Sequence, residues 1–263
     1  MVDIKSEREI ELMRDACRLA YLTHEEVKKH IKPGVSTMEL DKIAENFIRE
    51  NGGIPAQKNY PSGVKGIPNF PATLCVSIND EVIHGIPSKS VILKDGDVVS
   101  IDLVVLKNGF HGDAARTHIV GKANKNAYEL LNITQQAFYE GIKYAVKGNR
   151  IGDISHAIGE FVSKNGYSVV REFQGHGIGR QMHEDPGIPN YGKAGRGIRL
   201  EPGMTLAIEP MVIQRKTRYI GTWRWMDNSN RRWKFIGTLW KYNFNYRKRA
   251  RNLDNNLNLL YTI

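Results

Sequence analysis

Cysteine, long apolar runs and an apolar leader are scarce or absent in this sequence, and each shortage excludes a class of protein. The two cysteines, Cys17 and Cys75, provide no disulfide framework, which favours a reducing compartment. No segment approaches the roughly 18 consecutive apolar residues of a membrane span. The first residues, MVDIKSEREIELMRD, are charged and lack the apolar core of a signal peptide. We therefore expect a cytoplasmic protein with no membrane partner.

The positive charge is concentrated at the C-terminal end of the chain. Of a net charge of +10, residues 215–263, here called the basic tail, hold 12 of the 38 Lys and Arg but only two of the 28 acidic residues. Residues 1–214 are therefore electrically balanced. The tail also holds all four tryptophans and eight asparagines, without the alternation of a strand. The body gives no reason to expect a nucleic-acid partner, and the tail needs a separate explanation.

The central motif is an acidic hairpin over residues 96–113, GDVVSIDLVVLKNGFHGD. Asn108-Gly109 between two strand-like runs is a strong signal for a two-residue turn. That turn pairs residue 104 with 113 and residue 102 with 115, which places Asp102 and Asp113 on one face as diagonal neighbours about 7–8 Å apart. The pair suits a divalent metal or a shared proton, and a solvated acidic face is the alternative.

Two segments of the chain repeat. At an offset of 114 the helical pattern of residues 40–52 recurs at 154–166, and at an offset of 107 LKDGDVVSID recurs as LEPGMTLAIE. In the second match Asp102 falls on Glu209. Two similar αβ halves related by pseudo-symmetry would therefore offer a carboxylate at the same strand position, which favours a central acidic site.

The remaining pattern predicts alternating helices and short strands. Ser6–Glu9 and Ser36–Glu39 are capping boxes that begin two helices. Further helices are predicted over 126–146 and 153–164, strands over 74–79, 81–84, 168–173 and 204–213, and loops over 54–72 and 175–187.

Glu209 and His176 extend the acidic pair into a mixed ligand set. Glu209 lies on an otherwise apolar strand, where an isolated carboxylate would cost several kcal/mol, so an Arg, a Lys or a metal is expected beside it. His176 lies between glycines in GHGIG. Oxygen ligands with one imidazole nitrogen suit Mn, Fe(II), Co or Zn better than Mg. Two carboxylates able to bridge fit a two-metal hydrolytic centre.

These motifs resemble methionine aminopeptidase of type I (peptidase family M24, subfamily A) in unbroken order from residue 1 to about 214. The resemblance is carried by Asp102, Asp113, GHGIG with His176, MHEDP with His183, AIEPM with Glu209, and VIHGIPSK at 82–89. It implies an α+β pita-bread fold, with two pseudo-symmetric αβ halves around a curved antiparallel sheet. It also implies removal of the initiator methionine from nascent proteins by a metal-bound hydroxide, when the second residue is small.

The resemblance also implies a role for each matched residue. Asp113 would bridge two metals, Asp102 would chelate one of them, and His176 and Glu209 would hold the other, with Glu209 moving the proton of the attacking water. His84 would contact the substrate near the scissile nitrogen, and His183 would steady the carbonyl oxygen. Tyr60 and Phe70 are candidates for the methionine pocket, although loop 54–72 does not align cleanly. A monomer is expected, with the ribosome left open as a partner.

The sequence departs from this family after Gln214. The family has a fifth ligand, a second Glu in a pattern like H-Y-E-N-T, but this chain has no Glu after Glu209 and no His after His183. We hypothesise a frameshift near residue 215, since codons for Thr222–Trp225 read one base later permit His-Gly-Asp-Gly. In the same reading a Glu in this pattern requires TGA, read as Trp in this organism, at Trp240; if the codon there is TGG, the residue is Gly. The expected organisation is a catalytic domain over 1–214, incomplete at its C-terminal end, followed by an out-of-frame tail that is not a domain.

This departure from the family has consequences for the chain as written, and two alternatives to the leading interpretation remain. The literal chain is expected to be impaired, to bind one metal rather than two, and to lack the last strands of the sheet or hold them disordered. The alternative is a non-catalytic pita-bread binding protein whose basic, aromatic tail binds nucleic acid. Prolidase and Xaa-Pro aminopeptidase share the fold but usually carry an extra N-terminal domain.

Overall fold

The computed structural model describes residues 2–214, 237–239 and 241–245. Its helices are α1 (Glu7–Lys28), α2 (Thr37–Glu50), α3 (Lys125–Ile142) and α4 (Ile151–Lys164). Both predicted capping boxes are present: the hydroxyl of Ser6 accepts from the backbone of Glu9, and that of Ser36 accepts from the backbone of Glu39. Helix α3 ends four residues before the predicted position, because residues 143–149 form turns that include Gly148 with positive φ.

Antiparallel strands form two sheets. Among the described residues the strands are β1 (Ile54–Pro55), β2 (Leu74–Ile78), β3 (Val98–Lys107), β4 (Phe110–Ile119), β5 (Ser168–Val169), β6 (Gln174–Gly177), β7 (Glu184–Pro189), β8 (Thr205–Ile208), β9 (Met211–Ile213), β10 (Gly237–Leu239) and β11 (Lys241–Asn245). The larger sheet has the order β1-β3-β4-β11-β8-β6-β7, with β2 also paired to β3. The smaller sheet has the order β10-β9-β5.

The predicted repeat is confirmed at the level of whole elements. Helices α2 and α4 begin and end 114 residues apart, and strands β3 and β8 begin 107 residues apart. The sheet shows the same symmetry, since β3 pairs with β2 and β4 while β8 pairs with β6 and β11. The fold is thus the predicted α+β pita-bread fold, with similar halves that meet at β4 and β11.

Three local predictions are wrong. Residues 81–84 are not a strand, because the edge of β2 is occupied instead by Gly85, whose carbonyl accepts from the Val76 N–H. The predicted loop 175–187 contains most of β6 and part of β7. The predicted strands 168–173 and 204–213 are shorter or interrupted, the latter at Glu209 and Pro210, where proline provides no N–H for the ladder.

The end of the sheet departs from the expectation that its last strands are missing. Strand β11 pairs on one side with β4 and on the other with β8, which would otherwise each present an open edge at the centre of the sheet. Strand β10 pairs with β9. Trp240 and the rest of the basic tail lie outside the described residues. The structure therefore does not test the frameshift hypothesis. The proposed boundary at 214 stays a prediction.

The core lies between the helices and the concave sheet. Helix α1 packs on β3 and β4, and the side chains of Val99, Ile101 and Leu103 on that face of β3 are fully buried. The approach is closest at Gly112, where an added Cβ would lie 2.3 Å from the backbone carbon of Ala16. The opposite face of the same strands is left for the acidic residues. None of the helices in the described part of the chain is long and apolar enough to cross a bilayer.

Candidate metal centre

The β3–β4 hairpin delivers two carboxylates to one place. Asn108 and Gly109 have φ of 54° and 79°, as a turn of type I′ requires, and this turn fixes the predicted register. Val104 faces Asp113, and Asp102 faces Ala115. Asp102 is 7% exposed and Asp113 is 2% exposed. The prediction of a shared face is confirmed, but the face is buried rather than solvated.

The second half of the fold contributes Glu209 and His176 at the same point. His176 lies on β6 opposite Ala207 of β8, and Glu209 follows the end of β8. The Nε2 atom of His176 is 3.1 Å from Oε1 of Glu209 and 3.6 Å from Oδ2 of Asp113. One potential ligand atom from each of Asp113, His176 and Glu209 lies within 4.8 Å of the other two. Residues that are 96 positions apart in sequence thus meet in a buried cluster.

Two amides that the sequence did not single out contact Asp102, beside this cluster on β3, and Glu209, within it. Nε2 of Gln57 donates to Oδ2 of Asp102 at 3.3 Å. Nδ2 of the fully buried Asn190 donates to the backbone carbonyl of Glu209 at 2.7 Å. Each of these contacts joins distant parts of the chain. No local sequence motif could therefore have predicted either amide as part of the site. An amide among apolar residues after β7 was the only available signal for Asn190.

The cluster lies in the wall of a cavity of about 810 Å³. Five carboxylate side chains border it, those of Asp102, Asp113, Glu184, Asp185 and Glu209, whereas no lysine or arginine occurs among the described lining residues. Tyr60, Phe70, Cys75 and Met182 supply much of its apolar surface. The cavity therefore combines an apolar compartment with a strongly acidic wall.

Both predicted substrate-side histidines line this cavity. His84 has a φ of 60°, in the left-handed region, and its ring packs edge-to-face on Phe173 with centroids 6.0 Å apart. The following residue is anchored, since the Gly85 N–H donates to the Ser77 hydroxyl. The ring of His183 lies 4.4 Å from that of His176 between centroids.

Tyr60 and Phe70 also line the cavity, and Tyr60 has an additional contact. Its hydroxyl is 2.9 Å from Nδ1 of His183, and the two rings are edge-to-face. Phe70 is 8% exposed and packs with Ala72 and Cys75. All eight residues selected from the sequence thus border one cavity, although their individual roles are not tested by this proximity.

The donor set fits a divalent cation. Two buried carboxylates lie 3.1 and 3.6 Å from one imidazole nitrogen, and such groups repel one another unless a positive charge lies between them. The described lining residues provide no Lys or Arg for that purpose. Carboxylate oxygens with one imidazole nitrogen are the ligands of Mn, Fe, Co and Zn ions. Metal binding is therefore the arrangement that the chemistry of these side chains favours over an ion pair with Arg or Lys.

His118 on β4 and His24 on α1, neither of which belongs to the cluster, have lowered pKa values. Burial lowers the pKa of His118 from 6.5 to about 4, helped by the nearby charges of Arg116 and Lys28 and opposed by Glu25. Burial also lowers the pKa of the fully buried His24 well below its usual value, with a smaller effect of Arg116. Nε2 of His24 is 3.0 Å from the carbonyl of Ala114. Both rings are therefore neutral at pH 7.

Comparison with known proteins identifies the family. The profile of metallopeptidase family M24 matches residues 11–232, which is most of the chain. The prolidase from Pyrococcus furiosus, 24% identical with a TM-score of 0.70 over 90% of this chain and 60% of its own, shares the fold. The chain therefore belongs to metallopeptidase family M24.

Relatives with higher sequence identity to this chain are methionine aminopeptidases. The chain is 50% identical over 222 residues to methionine aminopeptidase 1 of Bacillus subtilis, covering 84% of this chain and 86% of the relative. It is 43% identical over 211 residues to the methionine aminopeptidase of Escherichia coli, covering 80% and 78% of the two chains. The crystal structure of the methionine aminopeptidase from Rickettsia prowazekii matches with a TM-score of 0.85 and 35% identity, over 94% of this chain and 96% of that chain.

Proposed function

We propose that this protein is a methionyl aminopeptidase that removes the initiator methionine from nascent polypeptides whose second residue is small. The carrying observation is the buried cluster of Asp113, His176 and Glu209 beside an apolar cavity, in a chain half identical to methionine aminopeptidase 1 of Bacillus subtilis. The substrate is the N-terminal Met of the polypeptide. A cytoplasmic monomer that meets its substrates near the ribosome is part of the same proposal.

Asp102, Asp113, His176 and Glu209 would hold the metal, and Asp113 would be the ligand shared between the ions if two are bound. Co, Mn, Fe(II) or Zn suit this donor set, and the second ion has fewer ligands if Trp240 stands where the family has Glu. A bound divalent cation would lower the pKa of a water at the site and polarise the scissile carbonyl. Gln57 and Asn190 orient Asp102 and Glu209, a kind of support whose loss typically costs about 10–100-fold in metal affinity.

The side chains of this chain would then share the proton transfers and the orientation of the substrate. Glu209 accepts the proton of the attacking water and returns it to the leaving amine. If the Tyr60 hydroxyl donates to Nδ1 of His183, the neutral ring carries its proton on Nε2, the tautomer that can donate to the carbonyl oxygen of the substrate. His84, which also lines the cavity, contacts the scissile nitrogen. Tyr60, Phe70 and Cys75 enclose the thioether side chain and exclude water from it.

The proposal is tested by loading the purified full chain with Mn²⁺ or Co²⁺ and measuring methionine release from Met-Gly-Gly. Met-Lys-Gly controls for the small second residue, Leu-Gly-Gly for the methionine pocket, and Gly-Pro-Gly for cleavage before proline. Asp113→Asn is the matched inactive variant. Release from Met-Gly-Gly alone is expected, and preferred cleavage before proline would contradict the assignment. The relatives and the clustered ligands support neither impaired activity nor the non-catalytic alternative.

The organisation of the C-terminal end is a separate proposal. We retain a catalytic domain over 1–214, incomplete at its C-terminal end, followed by an out-of-frame tail, although strands β10 and β11 and the family profile, which continues to residue 232, extend beyond that boundary. Genomic DNA sequenced across codons 210–242 from independent clones tests it, and an uninterrupted frame identical to the present one would refute the frameshift. The number of ions bound by the full chain, counted by elemental analysis, tests whether the site holds one metal or two.

A further inference from the structure

A lysine before the first helix is buried, which is rare for this residue type. The side chain of Lys5 is only 1% exposed. Its Nζ lies 2.5 Å from Oε2 of Glu184 and 2.9 Å from Oδ2 of Asp3, whose side chain is largely exposed. Its backbone N–H donates to the carbonyl of Gly203 at 2.8 Å. Main-chain and side-chain contacts therefore fix Lys5 against the second half of the protein.

Its partner Glu184 directly follows His183 in the chain and has a second contact. While Oε2 faces Lys5, Oε1 accepts the N–H of Gln181 at 3.0 Å. This hydrogen bond closes the turn 181–184 around His183. The position of one carboxylate therefore determines both the ion pair and the course of the backbone that carries the His183 ring.

The backbone next to this turn passes directly over the lysine. A Cβ on Gly179 would lie 2.3 Å from Cε of Lys5 and 2.8 Å from Oε1 of Glu184. The carbonyl of Gly179 accepts the N–H of His111 at 2.9 Å, which ties the same segment to β4. Lys5 thus fills the space beneath residues 179–184, where its side chain lies against Gly179 and its ammonium group against Glu184.

We propose that Lys5 is a positioning residue for His183, acting through Glu184. This inference rests on the proposed function, because it assigns His183 to the carbonyl oxygen of the substrate. The His183 ring makes an edge-to-face contact with Tyr60 on one side and another with His176 on the other. A shift of the 181–184 backbone displaces the ring from both. Lys5 also balances the charge of Glu184, which borders a cavity rich in carboxylates.

The test compares wild type with Lys5→Met, which keeps the length of the side chain and removes its charge. The full chain, loaded with Mn²⁺, is assayed on Met-Gly-Gly. We expect kcat to fall about tenfold or more, because small displacements of a catalytic group are costly. KM should change by less than about twofold, since His183 is assigned to the transition state. Lys29→Met, which breaks an exposed pair with Glu26, is the matched control and should leave kcat unchanged.

Two readouts separate positioning from general damage. Calorimetric affinity for Mn²⁺ should be unchanged in Lys5→Met, because the side chains of Lys5 and Glu184 contact Asp3, Gln181 and each other and not the four proposed ligands. Affinity for a tetrahedral methionine phosphonate should fall about as much as kcat, whereas affinity for methionine should not. Adding Glu184→Gln to Lys5→Met should restore most of kcat, because the amide oxygen still accepts from Gln181 and no buried charge remains without its partner.

The outcomes distinguish this inference from the proposed function. Wild type that binds Mn²⁺ but releases no methionine overturns both. Active wild type with unchanged kcat in Lys5→Met, or with Mn²⁺ affinity lost in parallel with kcat, overturns the role of Lys5 alone. If Lys5→Met does not fold, Glu184→Gln by itself carries the test. Its single amide oxygen cannot replace both carboxylate contacts, with Lys5 and with the Gln181 N–H, so the turn is no longer held against Lys5. A kcat reduced several-fold therefore supports the role, and an unchanged kcat overturns it.

Discussion

Acidification should destabilise this protein through His118, at a pH where most carboxylates are still ionised. The pKa of His118 is lowered from 6.5 to about 4 because burial and Arg116 oppose its charged form. Between these two values the unfolded chain binds a proton that the folded chain does not. The stabilisation is therefore complete above pH 6.5 and is lost as the pH falls towards 4.

The size of the effect follows from the shift. Each pKa unit corresponds to about 1.36 kcal/mol, so the free energy of unfolding should fall by roughly 3 kcal/mol between pH 7 and 4 from His118 alone. The fully buried His24, whose pKa is lowered in the same direction, adds to the slope. For a domain whose total stability is about 5–15 kcal/mol, this loss is large.

Urea unfolding followed by circular dichroism at pH 7.5, 6.5, 5.5 and 4.5 measures this slope. A chelator in every sample removes the separate contribution of metal binding. His118→Gln is the matched variant, since it keeps polarity and approximate size but cannot titrate. Its free energy of unfolding should depend less steeply on pH than that of wild type. Identical slopes in the two proteins would refute the assignment to His118.

Three substitutions near the site have distinct expected outcomes. Asp113→Asn should abolish both Mn²⁺ binding, measured by calorimetry, and methionine release, because it removes the charge of the most buried carboxylate in the cluster. Tyr60→Phe should lower kcat about fivefold, which corresponds to one hydrogen bond of about 1 kcal/mol, with Mn²⁺ affinity unchanged. Gly112→Ala should lower the free energy of unfolding by about 1–3 kcal/mol in urea, because the new methyl overlaps the backbone of Ala16.

A specific experimental result would contradict each of these three predictions. Tight Mn²⁺ binding by Asp113→Asn would place the metal elsewhere. A Tyr60→Phe variant with normal kcat would show that the hydroxyl does not orient His183. Wild-type stability in Gly112→Ala would mean that α1 and β4 separate easily, contrary to their close packing.

Features fixed by local chemistry were predictable from the sequence. The Asn108-Gly109 turn determines its own register, so the positions of Asp102 and Asp113 followed from counting outward from it. Capping boxes likewise determined where α1 and α2 begin. The internal repeat then identified Glu209 as the position in the second half that is equivalent to Asp102, without knowledge of the tertiary structure.

Features fixed by contacts between distant segments were not predictable in the same way. Strand β6 is half glycine and β7 contains two prolines and a glycine, so their composition favoured a loop, and pairing of β6 with both β7 and β8 makes it a strand. The amides of Gln57 and Asn190, and the pair of Lys5 with Glu184, join residues that no short pattern connects. The fold and most of the site residues could thus be predicted from the sequence. The residues that hold the site residues in place could be identified only from the three-dimensional structure.

The position of β11 has a consequence for the order in which the protein can assemble. Within the described residues, the two halves of the larger sheet are joined through this strand, which is the last described element of the chain and pairs with both β4 and β8. During synthesis Asp113 and Glu209 leave the ribosome 128 and 32 residues ahead of Lys241. The facing edges of β4 and β8 therefore stay open until β11 has been made. This protein is proposed to act on other chains early in their synthesis, whereas its own larger sheet is completed late in its own synthesis.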